Sequence, residues 1–147
     1  MEREKVYLSV KAYTEDPGPR YKRQDKDDTN TSGEMFYIQQ LNACFATCYE
    51  ENKELILLLD GVSGYPSSFL DEAIGELVYD FTLEVVKNYL RFETVMFRRR
   101  AKQVLEETFP QWEEKRVENK PVVHSPNLNA SLKKLDANSN IVEYTIE

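Results

Sequence analysis

The 147-residue chain is the size of one domain, and its 41% hydrophobic and 12% aromatic content, with only five glycines and six prolines, excludes a low-complexity or collagen-like polymer. Nineteen Lys and Arg against 26 Asp and Glu give a net charge of −7, which opposes non-specific attraction to nucleic-acid phosphates or anionic lipid and favours polar protein partners. No run of about 18 apolar residues occurs, and the charged start Met1-Glu2-Arg3-Glu4-Lys5 lacks the apolar stretch of a signal peptide, so a cytoplasmic location is expected, with no membrane and no nucleic acid.

In chain order, Val6, Leu8, Val10 and Ala12 alternate with Tyr7, Ser9, Lys11 and Tyr13, a period of two that predicts a strand over 6–13. Residues 15–32 hold Pro17, Gly18, Pro19 and a polar run, and are expected to form a long surface loop. Thr31-Ser32-Gly33-Glu34 fits a capping box, with Thr31 as the cap and Glu34 bonding back. Tyr37, Leu41, Cys44, Phe45 and Cys48 then recur at helical spacing, predicting an amphipathic helix over 33–51. The two cysteines four apart on that helix suit a disulfide poorly and are read as reduced, core-facing thiols.

Glu54 to Asp60 is a short apolar run fitting a strand buried on both faces, and after a tight connection Ser67-Ser68 opens a helix with an apolar stripe from Phe69 to Phe81. Residues 82–89 carry no clear period, while Leu90, Phe92 and Val95 suggest a strand around 90–95. A long helix is predicted over 97–118, kinked or split at Pro110. Past residue 120 come loop signals and then Ile141 to Ile146, whose alternation fits an added edge strand. The expected whole is an α/β fold: a small mixed sheet of about four strands covered by helices, as one domain over 1–119 with a C-terminal tail over 120–147.

Two hydroxyls at a helix start just beyond the carboxyl end of a buried strand stand where α/β sheets place ligand sites. The competing reading is that Ser67 or Ser68 only caps the helix, Ser68 and Asp71 forming an acidic capping box. Arg20, Ser32 and Glu34 form a second set. If the long loop folds over the helix starts, Arg20 can pair with Asp71 or Glu72 or bind a phosphate bidentately.

No zinc spacing is present, and His124, the only histidine, has no motif around it to serve as a catalytic base, so neither a metal nor a cofactor is expected, nor an enzyme. Arg98-Arg99-Arg100 with Lys102 reads as a solvated helix face. The acidic pairs Glu106-Glu107 and Glu113-Glu114 read the same way, and Phe109 with Trp112 as a packing pair.

Gly18-Pro19-Arg20, Ser32-Gly33-Glu34 with Phe36, and Gly64-Tyr65-Pro66-Ser67-Ser68-Phe69-Leu70-Asp71-Glu72-Ala73 with Gly75 and Leu77 are similar to the STAS-like family of uncharacterised bacterial and phage proteins. The likeness covers roughly 6–97, and the loop resembles the signature of the STAS domains of anti-sigma factor antagonists. It implies a non-enzymatic regulatory module that binds a protein partner and is switched when a histidine-kinase-like ATPase phosphorylates a serine, which by motif is Ser67, with Ser68 beside it. Tyr65, Asp71 and Glu72 are its expected neighbours at the contact. Where antagonists have Asp-Ser-Ser-Gly, this chain has Pro66-Ser67-Ser68-Phe69. The alternative is a small-anion or nucleotide site made of the Ser67 helix start and Arg20. Self-association through the C-terminal helix and tail is a further expectation to test.

Overall fold

The computed structural model describes residues 2–26 and 29–147; Met1, and Asp27 and Asp28 within the long loop expected over 15–32, lie outside the described residues. Strand β1 is Lys5–Ser9, shorter than the alternation to Tyr13 predicted. Ser9 ends it, because its Oγ accepts the Ala12 amide at 3.3 Å and so starts a single helical turn, Val10–Tyr13, that buries Val10.

Helix α1 spans 33–50, with a wider π turn at Tyr37–Leu41. Its cap is Ser32, whose Oγ accepts the Met35 amide at 3.1 Å, and not Thr31. The next free amides find main-chain carbonyls of the long loop: Gly33 N–H donates to Pro19 O at 3.0 Å and Glu34 N–H to Arg20 O at 2.9 Å. With its backbone amides served this way, Glu34 turns its carboxylate elsewhere, so the expected capping box does not form. Cys44 and Cys48 are free thiols, half-buried and buried.

Strand β2, Glu54–Leu58, is the centre of a parallel sheet of order β1-β2-β3, with β3 at Leu90–Glu93. Leu55, Ile56 and Leu57 are all buried, as a strand covered on both faces requires. Between β2 and β3 lie helix α2, Ser67–Phe81, and helix α3, Leu83–Tyr89, which accounts for the stretch without a clear period. Thr82 joins them at φ 75°, a left-handed conformation unusual for a β-branched residue, and its Oγ1 caps α3 by accepting from Val85 N at 3.4 Å.

Helix α4 spans 98–117 without a break. Pro110 is accommodated by a π turn at Val104–Thr108 just before it, so the helix widens where a kink or split was predicted. Gly75 of α2 lets α4 come close: a Cβ there would stand 2.1 Å from the Trp112 ring.

The strands divide into the three-stranded parallel sheet and a separate antiparallel ribbon of β4, Ala130–Leu135, and β5, Ile141–Ile146. The final strand therefore pairs with β4 and does not extend the parallel sheet. Asn42 of α1 explains the placement, since its amide donates to Lys133 O at 2.8 Å and accepts from Lys133 N at 2.9 Å, holding the ribbon on the helices. Leu132 is buried there against the core of Phe36, Phe45, Phe69, Ile74, Leu77 and Phe81.

Candidate functional site

The turn after β2 delivers Ser67 to the surface. Tyr65 fixes that turn: it is buried, its hydroxyl donates to Leu59 O at 2.6 Å, and its ring packs on Phe69 and Phe97. Tyr65 therefore positions the serine and is too buried to belong to a contact surface. Pro66 occupies the cap position of α2, and no side chain caps the helix. The capping reading of Ser67 and Ser68 fails on this point, and Ser67 stands exposed in the first helical turn with Ser68 half-buried behind it.

Ser67 lines a cleft of about 200 Å³ between the start of α2 and helix α4, together with Arg20, Asp71, Arg100, Glu107 and Thr108. Ser68 is not in its wall. Arg20 reaches in from the long loop, and its guanidinium donates to Asp71 Oδ2 at 2.8 Å and to Glu72 Oε1 at 3.1 Å, so it pairs with both candidate acids at once. Asp71 also accepts from Thr108 Oγ1 at 2.7 Å and from Trp112 Nε1 at 3.3 Å. It is thereby fixed as the hinge between the loop, α2 and α4. Arg100, which also lines the cleft, donates through Nη1 to Gln103 Oε1 at 3.1 Å.

The other predicted site residues are inside. Ser32 and Glu34 are fully buried and cannot meet a ligand from solvent, which corrects the expectation of an anion site there. Glu34 instead accepts from Lys22 N at 3.0 Å, Ser125 N at 3.0 Å and Ser125 Oγ at 2.5 Å. Glu72, expected at the partner contact, is 1% exposed and meets solvent only through Arg20.

Glu72 begins a row that the sequence reading missed. Glu72, Glu76 and Asp80 follow at four-residue spacing along one face of α2, and all three are buried. Their signal is a line of acids at four-residue spacing on a helix whose other positions from Phe69 to Phe81, Asp71 apart, are mostly apolar. Burial pushes the Glu72 carboxyl up to about 9, with the Glu76 charge adding to it and Arg20 opposing. Burial likewise lifts Glu76 to about 8, against a hydrogen bond from Glu72 that favours its charged form. One oxygen of each, Glu72 Oε2 and Glu76 Oε2, is buried without a hydrogen-bond partner, which adds to the preference of both carboxyls for the protonated form.

The C-terminal tail completes this row. His124 Nε2 lies 2.6 Å from Glu76 Oε1, and the hydroxyls of Tyr37 and Tyr144 donate to Asp80 Oδ2 at 2.5 and 2.7 Å. These bonds oppose the burial that raises the Asp80 carboxyl to about 6. His124, Glu76, Asp80 and Tyr144 line a second cavity of about 550 Å³, away from the wall that holds Ser67. Among the described residues no group of three or more His, Cys, Asp or Glu is placed to hold a metal ion, and no helix is long and apolar enough to cross a membrane.

No curated protein and no solved structure matches the chain. Residues 32–95 carry α1, the central strand, the Ser67 turn, α2, α3 and β3, and this segment matches the family described as "STAS-like domain of unknown function (DUF4325)".

Proposed function

We propose that this chain is a non-enzymatic regulatory module of the cytoplasm that binds a protein partner at the Ser67 cleft, and that phosphorylation of Ser67 by a histidine-kinase-like ATPase switches the binding. The observation that carries the reading is an exposed serine in the first turn of a 15-residue helix, free of capping duty, with Arg20 and Arg100 in the same cleft. In the transfer, Ser67 Oγ bonds to the γ-phosphorus of ATP as the bond to ADP breaks, and the hydroxyl proton passes to a base of the kinase. The new dianion meets the free amides of α2, worth about 0.3 to 2 kcal/mol from the helix dipole. It also competes with Asp71 for Arg20, whose grip on Asp71 and Glu72 ties the long loop to α2. The phosphate thus acts on the shape of the contact surface as well as on its charge.

Incubating the chain with ATP and a histidine-kinase-like ATPase encoded beside it, then mapping peptides by mass spectrometry, tests this. One phosphate is expected on Ser67, lost in Ser67→Ala and kept in Ser68→Ala; no phosphate, or one confined to Ser68, refutes the switch. The two arginines also favour a second reading, in which the cleft binds a small anion or a nucleotide phosphate. Calorimetry with a nucleotide panel separates the two, because the switch needs no tight nucleotide site.

A further inference from the structure

The far side of helix α4 carries a different surface. Between α4 and β3 runs a groove of about 410 Å³ whose rim holds four cations, Lys87, Arg91, Arg98 and Lys102, and whose lining includes no carboxylate. In a chain with seven more acids than bases this is a local reversal of charge. Arg91 donates through Nη1 to Lys87 O at 2.7 Å and Leu90 O at 2.8 Å, while its pair with Glu54 at 3.7 Å and that of Lys102 with Glu106 at 3.8 Å stand at the edge of ion-pair range. Such exposed pairs are weak and yield readily to a better acceptor. The floor is apolar: Leu90 and Phe109 are buried, Phe92 is half-buried, and Leu105 is left 53% exposed.

The strand beside the groove is open only at Phe92, because the Leu90 N–H donates to Val86 O and the Leu90 carbonyl accepts from Arg91 Nη1 at 2.8 Å. Sheet order β1-β2-β3 leaves β3 at an edge, and Glu93 O accepts from Leu59 N on the β2 side at 3.1 Å. Backbone polar groups alternate sides along a strand, so the N–H and C=O of Phe92 face away from β2, toward the groove. The unpaired Phe92 backbone, an apolar floor and a basic rim together specify an occupant.

We propose that this groove docks an extended, acidic segment of a partner protein, which pairs with the Phe92 N–H and C=O at the edge of β3, sets alternate apolar side chains over Leu105 and Phe92, and places its carboxylates among the rim cations. A second copy of this chain is a poorer fit. The sheet's other edge, β1, reads Lys5-Val6-Tyr7-Leu8-Ser9 and offers a cation where the groove calls for an anion. The proposal is independent of the Ser67 reading, since Arg100, Gln103 and Glu107 of α4 face the Ser67 cleft while Arg98, Lys102 and Leu105 face the groove.

Fluorescence anisotropy of the full chain with an end-blocked, labelled Glu-Leu-Glu-Val-Glu-Leu-Glu peptide tests it. Saturable binding is expected that is weakened by salt and falls by about tenfold or more in Arg98→Glu/Lys102→Glu, whose exposed sites leave the fold intact by circular dichroism. Amide exchange at Phe92 should slow on binding. No saturable binding, equal affinity for the Lys-Leu-Lys-Val-Lys-Leu-Lys counterpart, or indifference to the charge reversal overturns the proposal. So does a light-scattering dimer broken by Leu105→Asp, which would make the groove a self-interface, or preferential binding of a labelled oligonucleotide lost in the same charge-reversed variant.

Discussion

Gly75 and Trp112 show how one missing side chain sets a helix contact: the indole ring fills the space a Cβ would need. Gly75→Ala should therefore force α4 away from α2 and lower stability by about 1 to 3 kcal/mol, although alanine is the better helix former. The only tryptophan reports the change directly, and an unshifted melting temperature with unchanged Trp112 fluorescence would speak against this packing. The Glu72–Glu76 pair makes a prediction of opposite character, about pH. Burial holds both carboxyls protonated from their ordinary 4.5 up to about 9 and 8, so in that window the folded chain binds more protons than the unfolded one. Stability from this source is complete at the acid end and is lost as pH rises, and the urea midpoint should fall between about pH 5 and about pH 9. Glu76→Gln keeps an oxygen for His124 and removes one of the two titrating groups. It should match the parent chain near the acid end, exceed it near the alkaline end and flatten the slope; parallel curves for the two chains would disprove the proton held by Glu76. At this scale the serine pair and Arg20 were legible, because a helix start and a guanidinium advertise themselves. Glu76, Asp80 and His124 were not, since their partners lie far along the chain.

Whole elements follow hydrophobic period where one face meets the core, which is why β2, α2 and α4 could be read from the sequence. They depart from it where a polar contact intervenes. Ser9 cuts β1 short by capping the next turn, and Thr82 turns the chain through a left-handed conformation that no periodicity encodes. Strand β4 escapes notice because Ala-Ser-Leu-Lys-Lys-Leu buries only Leu132, and its position depends on Asn42, ninety-one residues away from Lys133. Asn42 replaces a neighbouring strand by offering Lys133 both a donor and an acceptor, and it also donates to Tyr37 Oη at 2.9 Å. Asn42→Ala should then loosen the ribbon, at a cost of about 1 to 3 kcal/mol. Amide exchange is expected to quicken in β4 and β5 before β1 to β3; uniform quickening would contradict the assigned role.

Across the whole molecule, the segment matched to the STAS-like family buries carboxylates that the tail satisfies. Ser125 serves Glu34, His124 serves Glu76, and Tyr144 serves Asp80. A chain ending at Lys120 would take from these groups their tail partners, although Lys22 N stays with Glu34 and the Tyr37 hydroxyl with Asp80, and would uncover the core at Leu132, so it should lose cooperative unfolding, each lost partner of a buried polar group costing about 1 to 3 kcal/mol. A sharp transition in that truncated chain would mean that the tail is an accessory. The same row meets the tail at Glu76, through His124, and the Ser67 cleft at Glu72, through Arg20, on which a phosphate would draw. The most direct test is to place phosphoserine at position 67 and titrate it by phosphorus NMR. With Arg20, Arg100 and the helix amides receiving the phosphate, its second ionisation should lie below the ordinary value of about 6 and return toward it in the Arg20→Ala/Arg100→Ala variant. An unshifted or raised value, insensitive to both arginines, would show that Asp71 and Glu107 govern the cleft and that Ser67 is not built to carry the switch.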